Sequence, residues 1–362
     1  MALSKPVGIA IIGVGGIALA NHLPGIALAG DRARLVAVCD TNPKTLETAK
    51  HRTGVNHAFA DYHQAIACDG VDAVIVATPN VTHAEIVLAA IEARKHVLCE
   101  KPIAMNHADS LQMLRAADAA NVRHMTAFTY RFVPAMRYMH HLVHSGAVGT
   151  PYHFRAQRFQ DWSDRNLGWR QVKAMAATGE LGDMLSHRID YGHLLLGPVK
   201  RLVASLRRFV PTRGGQPSDL DDWVSILCDY ENHNATGVLE STKLATGYGE
   251  GYGGRDAVEL NGSEGSLVYS TQSPNELKVG KKNGCALETM QVPREFLAWP
   301  GSPRDPGQGD PRVSFRYDQG FEFIDAIVNQ RACRLSFQEG AEAQRVMDAA
   351  VQSSEERRWI EC

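Results

Sequence analysis

No uninterrupted apolar run in the 362 residues approaches the roughly 18 to 20 needed to cross a bilayer as a helix, so a membrane-spanning segment is not expected. Charge of one sign is equally scarce. Thirty-eight Lys and Arg against 40 Asp and Glu give a formal charge of -2 and a pI near 6.7, without the basic excess of a nucleic-acid binder. The seven cysteines (Cys39, Cys68, Cys99, Cys228, Cys285, Cys333, Cys362) are scattered, odd in number and without a C-x-x-C spacing. They are expected to stay reduced, in the cytoplasm. Met1-Ala-Leu-Ser-Lys-Pro6 runs straight into a strand-like Val7 to Ile12, without the apolar core and small-residue cleavage site of a signal peptide. Internal repeats and low-complexity tails are missing too. Of His140, His141 and His144 only the first and last share a helix face, and two histidines without a third ligand do not make a zinc site, so no metal is expected.

What is present reads as two domains. From Val7 to about His124, short apolar runs (Val7 to Ile12, Leu35 to Cys39, Ala73 to Ala77, Val97 to Cys99) alternate with helix-length segments (Asn42 to Thr53, Thr82 to Ala93). That alternation predicts a parallel sheet with covering helices over residues 1–125. Thr82-x-x-Glu85 predicts a capping box at the start of the second helix. Beyond Met125 a helix (Pro134 to His144) is followed by strand-like Tyr152 to Phe159, Val199 to Val210, Trp223 to Tyr230, Gly237 to Ser241, Ala257 to Leu260 and Ser266 to Ser270, with closing helices at Phe321 to Val328 and Gly340 to Arg357. Residues 126–362 are therefore expected to form an α+β domain on a large, mostly antiparallel sheet.

Gly13-x-Gly15-x-x-Ala18 follows a strand and opens a helix, the context that makes such a turn a dinucleotide cradle. Gly13 permits the turn, Gly15 lets a pyrophosphate approach the backbone, Ala18 allows close helix packing, and the helix N-terminus offers amide donors. Asp40 ends the second strand, where a carboxylate accepts from an adenosine ribose and repels a 2'-phosphate; NAD is thus favoured over NADP. A turn or cap role for Asp40, before Thr41-Asn42-Pro43, is the alternative. Thr78-Pro79-Asn80 lies just past the third apolar run, on the edge where a dinucleotide lies.

Lys101 ends another strand on that edge, within Glu100-Lys101-Pro102, so its ammonium is placed to reach a substrate hydroxyl; Pro102 restricts it to extended conformations and allows a cis bond. Asp183, His187 and Asp190 follow at spacings of four and three, one face of a regular helix, where two carboxylates flanking an imidazole orient it and raise its basicity. The alternative is a capped surface helix with a local Asp-His pair. Trp162, Trp169, Tyr248, Tyr252 and Trp299 in Gly-rich and charged loops offer aromatic faces to a sugar, and Arg131, Arg158, Arg165 and Arg255 offer donors to hydroxyls or an acid.

Gly13-Val-Gly15-Gly16-Ile17-Ala18, Cys99-Glu100-Lys101-Pro102, Tyr130-Arg131-Phe132-x-Pro134-Ala135, Trp169-Arg170 and Gly179-Glu-Leu-Gly-Asp183-Met-Leu-Ser-His187-Arg-Ile-Asp190 together resemble the successive signatures of the glucose-fructose oxidoreductase/inositol dehydrogenase/MocA family. The resemblance extends over nearly the whole chain, through Leu260-Asn-Gly-Ser-Glu-Gly-Ser-Leu267 to Ser353-x-x-x-Arg357-Arg-Trp359. It implies an N-terminal Rossmann domain and an NAD-dependent dehydrogenase of sugars, glycosides or cyclitols, with Lys101, Asp183 and His187 as its catalytic set. It implies cofactor contacts at Gly13, Gly15, Gly16, Ile17, Asp40, Thr78, Pro79, Asn80, His83, Glu100, Lys101, Trp169 and Arg170. Substrate contacts fall on Lys101, Tyr130, Arg131, Arg158, Trp162, Asp183, His187 and Arg255. A homodimer or homotetramer packed through the second-domain sheet is implied as well. Thr129 and Leu185 depart from the family pattern, which often has Asn and Gly there. Two other activities share the scaffold: NAD-dependent glycoside cleavage without net redox change, and a non-catalytic sugar sensor.

Overall fold

The computed structural model describes residues 5–251 and 254–362; Tyr252, one of the expected aromatic faces, lies outside them. The chain divides into two compact units. The first comprises Met1–Thr129, Ala298–Pro306 and Val313–Ala341, and the second Tyr130–Leu297, Gly307–Arg312 and Glu342–Cys362.

The first unit is built on six parallel strands, β1 (Val7–Ile12), β2 (Ala33–Cys39), β3 (His57–Phe59), β4 (Ala73–Val76), β5 (His96–Cys99) and β6 (His124–Thr126), in the order β3-β2-β1-β4-β5-β6. Every residue of β1 and β4 is buried, as expected of central strands covered on both faces. The order reverses between β1 and β4, the crevice where such sheets hold ligands. The helix expected from the Thr82 region runs His83–Glu92, but without the capping box. Thr82 Oγ1 instead lies 2.8 Å from both Thr78 Oγ1 and Pro79 O, and Glu85 accepts the Tyr62 hydroxyl. The hydroxyl is thus spent on the preceding turn, not on the helix's free amides.

The helix Tyr317–Val328 belongs to this first unit, although the sequence pattern groups it with the second. Gly320 backs onto Gly25, where a Cβ would meet backbone at 2.9 Å, and Arg32 reaches Asp325 at 2.8 Å. Trp299 is also here. It is buried, with its indole N–H donated to Glu322 Oε2 at 2.7 Å, so it packs the unit and presents no face to a sugar.

The second unit is a nine-stranded sheet and its covering helices. Its strands are β7 (Pro151–Phe159), β8 (Val199–Arg207), β11 (Trp223–Tyr230), β12 (Thr236–Thr242), β13 (Arg255–Gly262), β14 (Gly265–Ser270), β15 (Glu276–Lys281), β16 (Glu288–Gln291) and β17 (Ile360–Glu361), with β9 (Thr212–Arg213) and β10 (Gln216–Pro217) as a separate ribbon. The order is β16-β15-β14-β13-β7-β12-β11-β8-β17, antiparallel except where β7 meets β12. In β11 and β12 buried residues alternate with partly exposed ones, so one face of the sheet is core.

Candidate active site

Each unit carries a cluster of the side chains that the sequence marks as candidates. In the first, the chain leaves β1 at Gly13, whose φ of +84° and close approach to Ala77 and Thr78 (2.6 to 2.7 Å from an added Cβ) both demand glycine. Gly15 and Gly16 are different: a Cβ on either meets nothing within 4 Å, so the space above this turn is open. Helical backbone begins beside it, with Leu19 N–H donating to Gly15 O at 3.2 Å and Ile17 in helical geometry. An open, side-chain-free turn at a helix N-terminus fits a dinucleotide pyrophosphate.

Asp40 fills the turn role that the sequence left open. Its Oδ2 accepts the Val14 N–H at 3.1 Å and its Oδ1 the Asn42 N–H at 2.9 Å, so it ties the end of β2 to the glycine turn. Each oxygen keeps a second lone pair for a ribose hydroxyl. His83 is fully buried, with Nδ1 2.9 Å from Pro102 O and Nε2 3.0 Å from Thr78 O. Burial lowers its pKa despite those carbonyls. The neutral ring donates through one nitrogen to one of these two carbonyls, so His83 ties the loop after β4 to the loop after β5.

Thr78 and Pro79 are partly exposed on the β4 edge, and Asn80 is buried at the start of the following turn. Glu100 follows β5. Its Oε1 lies 2.8 Å from Nε2 of the buried His22, and its Oε2 accepts the Lys101 N–H at 3.2 Å. Burial pushes the Glu100 carboxyl up, but the His22 bond and the His22 and Lys101 charges bring it below its ordinary value. Lys101 is half-buried and precedes a cis peptide bond to Pro102.

In the second unit the expected regular helix is interrupted. Leu181–Leu185 is a π-helical turn, followed by α-helix over Ser186–Leu196. The wider turn changes the angular offset between Asp183 and His187 from that of an α-helix. Asp190 forms a bidentate pair with Arg131, at 2.8 and 2.6 Å, which fixes both side chains. Arg131 is thus anchored through Nε and Nη2 to a carboxylate of its own unit. His187 is buried and packs edge-on against the Tyr130 ring, 4.6 Å between centroids. Asp183 is half-buried, with Arg170 Nε 4.0 Å from Oδ1 and Lys243 Nζ 3.6 Å from Oδ2. Arg170 lies over the Trp169 ring at 4.3 Å, and Arg165 over Trp162 at 4.5 Å.

Arg158 is a further correction. It is buried, donates to Gly251 O at 2.7 Å, and shares Asp256 with the fully buried Arg188. A guanidinium so enclosed holds the sheet together and does not meet a substrate. Arg255, one residue before that shared carboxylate, is exposed at the start of β13. Tyr248 is exposed and touches Phe159 edge-on at 6.3 Å. Three participants escaped sequence reasoning: His22, Lys243 and Glu180. Glu180 sits inside the quoted Gly179 to Asp190 stretch, whereas Lys243 follows β12 with no local pattern to mark it.

Among the described residues there is no group of three or more His, Cys, Asp or Glu placed to hold a metal ion, and no helix long and apolar enough to cross a membrane. The description "Oxidoreductase family, NAD-binding Rossmann fold" matches residues 7–128, and the Gfo/Idh/MocA C-terminal domain matches residues 136–268. Levoglucosan dehydrogenase of Pseudarthrobacter phenanthrenivorans is 31% identical, covering 90% of this chain and 88% of the relative. Myo-inositol 2-dehydrogenase of Thermotoga maritima is 30% identical over 72% of this chain and 74% of its own length. A solved levoglucosan dehydrogenase complex with NADH superposes with a TM-score of 0.88 at 29% identity, covering 99% of both chains. The sequence signatures, the sheet order and both domain matches converge: the chain belongs to the Gfo/Idh/MocA oxidoreductase family, with an NAD-binding Rossmann domain at its N-terminal end.

Proposed function

We propose that this protein oxidises a secondary alcohol of a sugar, glycoside or cyclitol to the ketone, or catalyses the reverse reduction. The observation that carries the reading is the open glycine turn, which lies with Lys101 on one edge of the first unit's sheet; the second unit adds Asp183 and the buried His187 imidazole on one helix of its own. Relatives named for levoglucosan, myo-inositol and D-apiose support this substrate class.

NAD, when bound, supplies the hydride acceptor. Gly13, Gly15, Gly16 and Ile17 would hold its pyrophosphate and Asp40 its ribose, Thr78, Pro79, Asn80 and Glu100 would line its site, and Trp169 and Arg170 would serve its nicotinamide end. The proton of the substrate hydroxyl passes to His187 or Lys101, and the Lys101 ammonium stabilises the developing alkoxide. Asp183 orients His187 on their shared helix, and Tyr130 holds the His187 ring by its edge. Trp162 and Arg255 border the substrate. Residues 1–125, completed by the late segments of the first unit, act as the cofactor domain, and the rest of 126–362 as the substrate domain. The half-exposed sheet face, with Leu227 49% and Tyr152 57% exposed, supports pairing of copies as a dimer or tetramer. Seven free cysteines, four of them buried, support the reducing cytoplasm as the working compartment.

The test is a screen of levoglucosan, myo-inositol and D-apiose with NAD and with NADP, following NADH and identifying the product. A ketone formed in step with NADH is the expected result. Glycoside cleavage without NADH accumulation would replace net oxidation with the redox-neutral reaction, and binding of NAD without turnover of any of these would reduce the protein to a sensor.

A further inference from the structure

The second unit buries one ammonium among three carboxylates. Lys243 is 1% exposed, with Nζ 3.4 Å from Glu180 Oε2 and 3.6 Å from Asp183 Oδ2, and it lies 5.5 Å from the centre of the Trp162 ring. Glu180 has no exposed surface, and its other oxygen takes the Ser241 hydroxyl. Asp221 faces the same cluster but is occupied by the Gly179 and Leu181 amides at 2.6 and 2.8 Å. The nearby sheet cations do not enter: Arg158 and Arg188 share Asp256, and Arg213 pairs with Asp222.

One cation cannot neutralise both Glu180 and Asp183, so the two compete for it. Asp183 keeps 16% exposure and a second cation in Arg170, whereas Glu180 has neither. The proton therefore belongs on Glu180. We infer that Lys243 and Glu180 are positioning residues for Asp183: Lys243 supplies the buried cation that keeps the Asp183 carboxylate ionised, and Glu180 carries the cluster's proton so that this charge is directed to Asp183. Burial pushes Glu180 up to about 7; Lys243 and Ser241 restrain the rise, and Asp183 and Asp221 add to it. Lys243 stays charged, because Glu180, Asp183 and Asp221 outweigh the burial that disfavours its cation. The inference rests on the place given above to Asp183 in proton handling.

The test needs no substrate in its first arm. Infrared difference spectra of the full-length protein across pH are expected to show a buried protonated carboxyl that ionises near neutrality, and E180Q is expected to lose it. K243M is expected to gain a protonated carboxyl at neutral pH that K243M/D183N lacks. In the second arm, with levoglucosan and NAD, K243M is expected to move the acidic limb of kcat/KM upward by roughly one to three pH units, the effect of removing a close opposite charge, and K243R to restore part of the shift. An unchanged carboxyl signal in E180Q overturns the inference, and does so even where K243M fails to fold. A K243M protein that merely melts lower, with the parent's spectrum and pH limb, overturns it as well. Full turnover by D183N would instead remove the proposed role of Asp183, leaving the carboxyl signals of Glu180 in place.

Discussion

The Asp40 carboxylate accepts the backbone N–H of Val14 at 3.1 Å, so the residue proposed to select the cofactor also braces the turn that would hold it. NAD is expected to bind more tightly than NADP, and Asp40→Ala to weaken NAD by roughly ten- to hundredfold. Those factors correspond to about 1.5 to 3 kcal/mol for bonds to a charged acceptor. Fluorescence titration with both dinucleotides decides this, and tighter NADP binding by the parent would contradict it.

Two glycines of one turn should respond differently to the same methyl group. Gly13→Ala forces a Cβ to within 2.6 Å of the Ala77 backbone at a φ of +84°, so it is expected to cost about 1 to 3 kcal/mol of stability, seen in denaturant unfolding. Gly15→Ala meets only open space and is expected to leave unfolding unchanged while weakening NAD. A Gly15→Ala protein with parental NAD affinity would remove the pyrophosphate from this position.

Lys101→Ala is expected to lower kcat by roughly two to four orders of magnitude, the span of a lost proton-handling group, with NAD affinity within a few-fold of the parent. Single-turnover NADH formation beside a binding titration separates the two effects. Near-parental turnover would take Lys101 out of the mechanism.

Asp256 lies between the guanidinium groups of Arg158 and Arg188, fully buried. Burial pushes its carboxyl up, but the two arginines bring it below its ordinary value. Asp256→Asn is expected to destabilise the protein by about 3 to 5 kcal/mol at neutral pH, because it leaves buried positive charge uncompensated. The folded-state pKa is the lower one, so this stabilisation is present above the unfolded pKa of about 3.9 and is lost as pH falls through the folded value. The gap between parent and variant in urea unfolding should therefore close only in acid; a gap that is absent at pH 7 would contradict the role.

The cofactor edge was legible from the sequence because its information is local: a strand, a glycine turn and an acidic strand end lie within residues 7–40. Asp183 and His187 were legible for the same reason, but the π-helical turn between them was not, since it alters the period on which a face is judged. The carboxylate partners of Arg131 and Arg158 were not legible because Asp190 and Asp256 lie 59 and 98 residues away. Lys243 was invisible for a related reason. Its meaning comes from β12 carrying it to Glu180 and Asp183, a pairing that sheet topology creates and no spacing announces.

The first unit closes with residues from near the far end of the chain: Arg32 meets Asp325 and Gly25 meets Gly320. During synthesis, then, the nucleotide-binding half emerges early but lacks its last packing partner until the entire second-unit sheet up to β16 has been made. Its completion is a late event in the life of the nascent chain, and a ribosome stalled before residue 313 would present an unfinished surface around Gly25 to chaperones.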